Sequence, residues 1–553
     1  MTASVACSLQ PTLLTRDERQ RRLYADAALA HIPRLLGALD RNPFHKTYGC
    51  FDRQYWHYRT ASFPSEMYQE AVLPLALIYA TPLPGNRWHG EPRLREWAVA
   101  ALQFAARSSH RDGSCDDYYP FERALGAAVF SLQAATRAYE LLQLDEPEIV
   151  AWFLRRADWI IDHDESGKLA NHHALAALGL ARLVRISGDN RLLAAAQERI
   201  RTVLAWQSAE GWFEEYGGAD PGYQTVTIDA LAKLRRLLGD PQLDDPLRRA
   251  VDFSRLFLHP DGSYGGEYGS RGTYHFYPHG FELLASQNAA AADLADGFLT
   301  ALSDGRQAWF DDDRMYAHRL GNLIEAYIDW SPCRPASEID AGEPTSTYLP
   351  HARMVVRRDR ETCIIVSAAR GGVFKRFAGG ERPQTDAGLV VETCDGRQAV
   401  SQFHDRCREV TWHEAGELFV SGTLHWTNHE TATPIKQAVF HVVMWMLGRW
   451  CRTLIRRVLQ RRLITGRRAC PIRHERHFEF EADGGCRVTD RIMLTDRTID
   501  VRRLAFASDL QACYVAAANV YQESVLEPWT DLGDYVPALN RDRSIVIVRH
   551  LPS

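Results

Sequence analysis

The side chains that could do chemistry fall in three stretches of this chain. Asn171-His172-His173 opens an alanine-rich apolar segment. Further on come Glu210-Gly211-Trp212-Phe213-Glu214-Glu215-Tyr216 and then Asp220-Pro221-Gly222-Tyr223. The third stretch holds Tyr264, Glu267-Tyr268-Gly269-Ser270-Arg271 and Tyr274-His275-Phe276-Tyr277-Pro278-His279. Brought together, they would give a cleft with an amide, several imidazoles and phenols, a guanidinium and stacking rings, and no metal cage. That inventory suits removal of the proton α to a uronic acid carboxylate. Asn171 or Arg271 would neutralise the carboxylate and stabilise the enediolate that forms. Tyr223 would be base or acid, assisted by His172 and by His279 or His275. A free phenol titrates near 10, so a cation such as Arg271 must lower Tyr223 if it is the base. Protonating the leaving oxygen then gives β-elimination, and returning a proton to the opposite face gives C5 epimerisation. Tyr119, Trp212, Glu215, Tyr216, Tyr268, Tyr274, His275 and Tyr277 would line the path of a sugar chain, as stacking rings or polar contacts.

Each residue also has a purely structural reading. Asn is a favoured helix N-cap. His172 and His173 are adjacent and must point in different directions, so one of them is structural. Arg271 has an ion-pair partner nearby in Glu267, and the aromatic rings suit core packing equally well. Glu214, Glu215 and Asp220, with Asp116, Asp117 and Glu122, would serve a rival chemistry, glycosidic hydrolysis by a carboxylate pair.

The elements that must position these groups are mostly helical over the first 330 residues, where apolar residues recur at i, i+3 and i+4. Similar turns recur at Asp112-Gly113-Ser114, Asp164–Gly167, Glu210-Gly211-Trp212 and Asp261-Gly262-Ser263, at intervals of 52, 46 and 51 residues. Gly188-Asp189 and Gly239-Asp240 divide two of the intervals. This is a helical-hairpin repeat of about 50 residues. It builds either an open solenoid or a closed ring; in a ring, equivalent turns lie on one face and converge on one cleft. Helical periodicity stops near 331–347, and short alternating segments follow, so residues 1–335 are assigned to a helical domain and 346–553 to an antiparallel β domain. An insert at about 436–470 interrupts the β pattern. Ala438–Leu447 is apolar except for His441, ten arginines fall from Arg449 to Arg476, and no acid appears before Glu475. The insert suits either a basic helix lying on an anionic membrane surface or a strand followed by a solvated arginine-rich helix.

Composition narrows the classes. With 46% hydrophobic and 24% charged residues the chain is ordinary globular protein, and a net charge of -5 disfavours a nucleic-acid binder. Eleven cysteines without a CxxC pair suggest reduced thiols. No secretory pattern opens the sequence and no run is apolar enough to span a bilayer, so the expectation is a cytoplasmic protein, peripheral at most to the inner membrane. No phosphate-binding loop, dinucleotide fingerprint, HExxH or GxSxG is present; no cofactor and no metal are expected. The oligomeric state is not readable.

On these residues the sequence resembles the heparinase II/III-like and alginate-lyase-like polysaccharide lyases, including the related uronyl C5-epimerases. In that group an Asn or Asn-His pair opens an inner helix and a Tyr follows about fifty residues later; here Asn171-His172 precedes Tyr223 by 52 and 51 residues. The family's D-G-S-F-x-E-G-x-x-Y-like stretch is matched loosely by Glu210–Glu215 and Tyr223, with residues inserted that make Tyr216 a rival. A later His completes the family's set, and His275 or His279 matches it. The resemblance implies an (α/α) toroid followed by an antiparallel β-sandwich, and a lyase acting on an acidic polysaccharide. There are two departures: Ala369–Phe374 stands where heparinase II-type lyases carry a histidine-rich stretch, and no secretion signal is seen. Together they favour an enzyme of exopolysaccharide or capsule metabolism. The alternatives are an epimerase with the same site, an α/α-toroid glycoside hydrolase, and a non-catalytic carbohydrate-binding or assembly protein.

Overall fold

The structure is a computed structural model that describes residues 15–552 apart from 165–166, 308–313, 337–344, 360–361, 380, 415, 428–432, 461–466, 482–483 and 512–519. Helices fill its first part, to Asp329, and pack as hairpins. Val72–Ala80, Leu125–Leu141, Ala170–Ser187, Pro221–Leu238, Pro278–Leu284 and Tyr316–Asp329 each touch the next in that order, and the last touches the first. The repeat therefore closes into a ring. Arg16–Ala38, Pro92–Ser108, Pro147–Ile161, Arg191–Ala205, Asp244–Arg255 and Ala289–Ser303 pack around it as an outer layer.

The sequence explains which helix goes where. Inner helices are enclosed on nearly all sides, so Ala170–Ser187 buries Ala174 through Leu183 without a break. Its alanines, and Ala127, Ala128, Ala134 and Ala135 on the neighbouring Leu125–Leu141, let the backbones approach. Outer helices are amphipathic: Asp244–Arg255 buries Leu247, Ala250, Val251, Phe253 and Ser254 and leaves its arginines and acids to solvent.

Three of the four repeat turns are structurally equivalent. In each, the Gly amide donates to the residue three before it: Gly113 to His110, Gly211 to Ser208 and Gly262 to His259, all at 2.9 Å. All three glycines have positive φ, and a Cβ would strike the backbone of an outer helix, at Arg155, Arg249 and Gly297 respectively. Only glycine fits there. Gly167 differs, since its Cβ position meets only the Tyr216 ring.

From Thr345 on the chain forms antiparallel sheets. Among the described residues a five-stranded meander runs Thr345–Leu349, Met354–Arg358, Thr362–Ser367, Val373–Ala378, Gln384–Asp386. A nine-stranded sheet is built around Glu417–Trp426, Ala469–Phe480 and Cys486–Leu494, with Phe478 opposite both Leu418 and Val488. Val355, Ile364, Val366 and Phe374 of the first sheet pack on Leu418, Val420, Phe478 and Val488 of the second, which makes the sandwich. The alternate residues Met354, Val356, Cys363 and Ile365 join the core of the helical ring instead. The strand Thr362–Ser367 is thus buried on both faces, which is why it lacks polar alternation.

The insert is a single helix, Pro434–Gln460, so the apolar stretch Ala438–Leu447 is helical and the alternative of a strand there is corrected. It leaves the sandwich between Glu417–Trp426 and Ala469–Phe480, two strands that pair with each other, and so disturbs no sheet hydrogen bond in the middle of a strand.

Candidate active site

Pro221–Leu238 begins earlier than its apolar periodicity alone indicates. Asp220 is its N-cap, accepting from the Tyr223 amide at 3.0 Å, and Pro221 takes the first helical position. Tyr223 therefore sits on the first turn, partly exposed toward the ring's cleft. The second Asp220 oxygen accepts the Arg271 amide at 2.8 Å, and Asp220 also binds Thr273 Oγ1. One buried carboxylate thus ties the Arg271 loop to the helix that carries Tyr223.

Asn171 is not an N-cap. Leu169 holds that position, and Asn171 lies fully buried with Nδ2 donating to Glu215 Oε2 at 2.7 Å. Burial pushes the Glu215 carboxyl well above the usual carboxylate range, against the opposing pull of Arg271. The Arg271 guanidinium stands 4.2 Å over the Tyr216 ring, while Glu267, its partner in the structural reading, binds Tyr274 and Lys375. Tyr216 has a φ of 52° and a phenol pushed up by burial to about 12. Burial also lifts Tyr223 well above 10, and Arg271 only partly offsets it. Arg271 therefore does not make Tyr223 a phenolate at neutral pH, contrary to what a tyrosine base requires.

The adjacent histidines part company. His173 lies 3.2 Å from Arg199 and edge-on to Trp206, and is structural. His172 turns into the cleft against Gly126 and Phe130, and burial lowers its imidazole to about 4. An arc of rings runs on from it: Phe130, His318, Tyr277, His275 and Tyr223, with successive centroids 4.8 to 5.6 Å apart after Phe130. His275 stands edge-on to Tyr223 at 5.2 Å, is lowered well below 6.5 by burial, and faces Arg319 through Nδ1.

His279 is corrected as a catalytic candidate. It is fully buried, its Nε2 lies 2.8 Å from Asp329, and its Nδ1 lies 3.4 Å from Asp229 and 3.6 Å from Glu325. Against burial, those carboxylates hold its imidazole above the ordinary 6.5, inside a network completed by Lys233. Neither ring nitrogen is open to a substrate. Several expected binding rings are likewise structural. Trp212 is buried and donates to Glu210; Tyr268 bonds His259 and stacks on Phe257; Tyr274 is buried against Glu267 and Lys375. Tyr277 is buried within the arc, and Tyr119 packs on Phe440 of the inserted helix.

Of the carboxylates offered for hydrolysis, Asp116, Asp117 and Glu122 are engaged by structural partners, Asp220 caps a helix, and Glu215 accepts from Asn171. Asp116 accepts from the Phe121 and Arg123 amides, Glu122 from Tyr118, and Asp117 from Ser65 and Arg314.

Beside Tyr118, which the sequence offers as a packing or stacking ring, three contributors were missed from the sequence: His318, Arg370 and His404. Tyr118 is 70% exposed, lies under Arg314, and is close enough to Tyr216 and Tyr223 to bear on both phenols. His318 is held by Glu70. Arg370, from the β domain, is buried and donates to the carbonyls of Gly269 at 2.6 Å and Ser270 at 2.7 Å, the two residues before Arg271, and to Gln402 at 2.9 Å. His404 of the same domain packs on Gly218. A histidine near the start of the inner helix Tyr316–Asp329 was the available signal for His318; Arg370 had none.

No protein-family model matches the sequence, and no curated protein matches it. Solved structures do. The chondroitin AC lyase of Streptomyces coelicolor A3 superposes with a TM-score of 0.53 at 13% identity, over 90% of this chain and 69% of that one. Heparinase III gives 0.48 at 12% identity, over 95% and 77%, and the heparan sulfate lyase HepC of Pedobacter heparinus gives 0.40 at 14%, over 90% and 72%. At such identities the likeness concerns the fold. The chain has the (α/α) toroid followed by an antiparallel β-sandwich that is found in polysaccharide lyases, as the sequence resemblance implied.

Proposed function

We propose that the chain is a polysaccharide lyase that cleaves a uronic-acid-containing polymer by C5 proton abstraction and β-elimination. The observation that carries this is that Arg271, partly exposed, stands over Tyr216 and bears on both Tyr223 and the buried Asn171–Glu215 pair, while His172, also partly exposed, follows Asn171 on the same helix. Arg271 meets the substrate carboxylate and stabilises the enediolate. Asn171 acts from behind, orienting Glu215. Neutral His172 takes the C5 proton; its low pKa makes it a weak base in the free protein, and an arriving carboxylate raises it. The C5–H electron pair forms the C4–C5 double bond as the C4–O bond breaks. Tyr223, protonated, supplies the proton to the leaving oxygen. The resulting imidazolium and phenolate are then reset by proton exchange with water. The chondroitin AC lyase that superposes at a TM-score of 0.53 was solved with chondroitin sulphate, which supports an acidic polysaccharide as the substrate class. Epimerisation uses the same groups. Incubation with a panel of polyuronates tests the proposal: new ultraviolet absorbance from an unsaturated uronate supports it, and cleavage without a double bond refutes it.

A further inference from the structure

Among the described side chains of the helix Pro434–Gln460, one line packs on the rest of the protein, and His441 and Trp445 beside it border a cavity shared with Phe63, His110 and Phe121. Phe440 meets the Tyr119 ring edge-on at 5.4 Å, Met444 is fully buried, and Gly448 packs on Phe121. Their i, i+4, i+8 spacing is a single narrow stripe. Off that stripe the first half of the helix shows its largest apolar side chains to solvent: Ile435 is 77% exposed, Trp445 69%, Met446 60% and Val439 57%. Contiguous exposure of this kind marks a surface that something covers. Lys436 is the one ionised side chain between Pro434 and Gly448, and the following sequence is rich in arginine with no acid before Glu475. No helix among the described residues is long and apolar enough to cross a membrane.

We propose that this helix docks the protein, lying flat, on an anionic bilayer. Apolar side chains with a tryptophan beside a basic run combine insertion at the headgroup boundary with attraction to anionic lipid. A polyuronate chain offers the charge but no hydrocarbon for Ile435, Val439 and Met446. A second copy offers the apolar face but would bring two arginine-rich runs together with no acids between them. The docking does not depend on the chemistry of the cleft. It has a consequence for it, since Tyr119 and Phe121, which the helix contacts, directly follow Tyr118 in the chain. Docking therefore sets the cleft beside the bilayer, where a polymer under assembly at the membrane would pass.

Co-sedimentation of the full chain with vesicles tests this. The expected result is binding to phosphatidylcholine vesicles containing phosphatidylglycerol, loss of binding on pure phosphatidylcholine, and weakening in high salt. Val442→Glu with Met446→Glu should lower the partition coefficient at least about tenfold. Both side chains are more than half exposed, so the thermal unfolding transition should stay where it is. The proposal is overturned if the wild-type chain stays in the supernatant or if the double variant binds vesicles equally well. It is also overturned if the same substitutions dissolve a dimer, or abolish retention on an immobilised polyuronate, with no vesicle binding in either protein.

Discussion

Replacing Arg370 with methionine tests whether the β domain sets the position of Arg271. The guanidinium donates to the carbonyls of Gly269, Ser270 and Gln402 at 2.6, 2.7 and 2.9 Å, in a site closed to water. Methionine keeps most of the side-chain stem and removes every donor. A charged hydrogen bond is worth roughly 1.5 kcal/mol net, so three give about 4–5 kcal/mol, an upper figure because water can enter the vacated space. The Arg271 amide keeps its bond to Asp220 at 2.8 Å, so the loop stays tethered at one end and shifts at the other. A displacement of about 1 Å in a positioning group costs on the order of a hundredfold in rate. The expectation is a lower urea midpoint, faster hydrogen exchange at the Ser270 and Gly272 amides, and kcat/KM down about a hundredfold while the protein is still folded. A variant with wild-type kcat/KM and unchanged exchange would refute the reasoning.

Other outcomes follow from the same geometry. Tyr223→Phe should lower kcat by about 10²–10⁴ with little change in KM, as loss of a general acid does, whereas His279→Asn should lower the unfolding midpoint and spare kcat below it. Glu215→Gln should stay within a few-fold of wild type, because burial raises the Glu215 carboxyl and favours its neutral form, and Glu215→Ala should not; a hundredfold loss in the glutamine variant would contradict this. In the acid range, Glu325 and Asp329 are held near 2 by Lys233, His279 and Arg236. The unfolded chain takes up these protons near pH 4 and the folded protein only near 2, so their stabilisation is full above about 4.5 and is lost as pH falls through 2. Urea unfolding at stepped pH reads this directly, and a flat midpoint across that window would contradict it. Between pH 6 and 9, kcat/KM should show no limb near 6.5, since His172 titrates near 4 and Tyr223 above 10.

The order of helices and strands and the repeat were legible because each has a local signature. Asp220-Pro221 announces a helix start, and Asp-Gly-Ser announces a turn. Ring closure was not, because contact between Tyr316–Asp329 and Val72–Ala80 joins segments far apart in sequence. The choice between His275 and His279 also lay beyond the local pattern. Both sit in one stretch, and what separates them is Asp229, Glu325 and Asp329 on two other helices, which close on His279 alone. Tyr268 and Trp212 read as sugar platforms for the same reason: their types fit, and only the packing of Phe257 and Glu210 around them shows they face inward. The departure at Ala369–Phe374 looked like a missing motif, yet it supplies Arg370, whose partners are backbone carbonyls with no residue type to betray them.

The most direct test of the account is incubation in heavy water with polyuronates of defined linkage, followed by ultraviolet absorbance and NMR. C5 elimination predicts new absorbance, an unsaturated terminal uronate and shortened chains, all lost in Tyr223→Phe. Deuterium entering C5 of intact chains would contradict elimination and establish epimerisation by the same groups, and new reducing ends without a double bond would contradict C5 chemistry altogether.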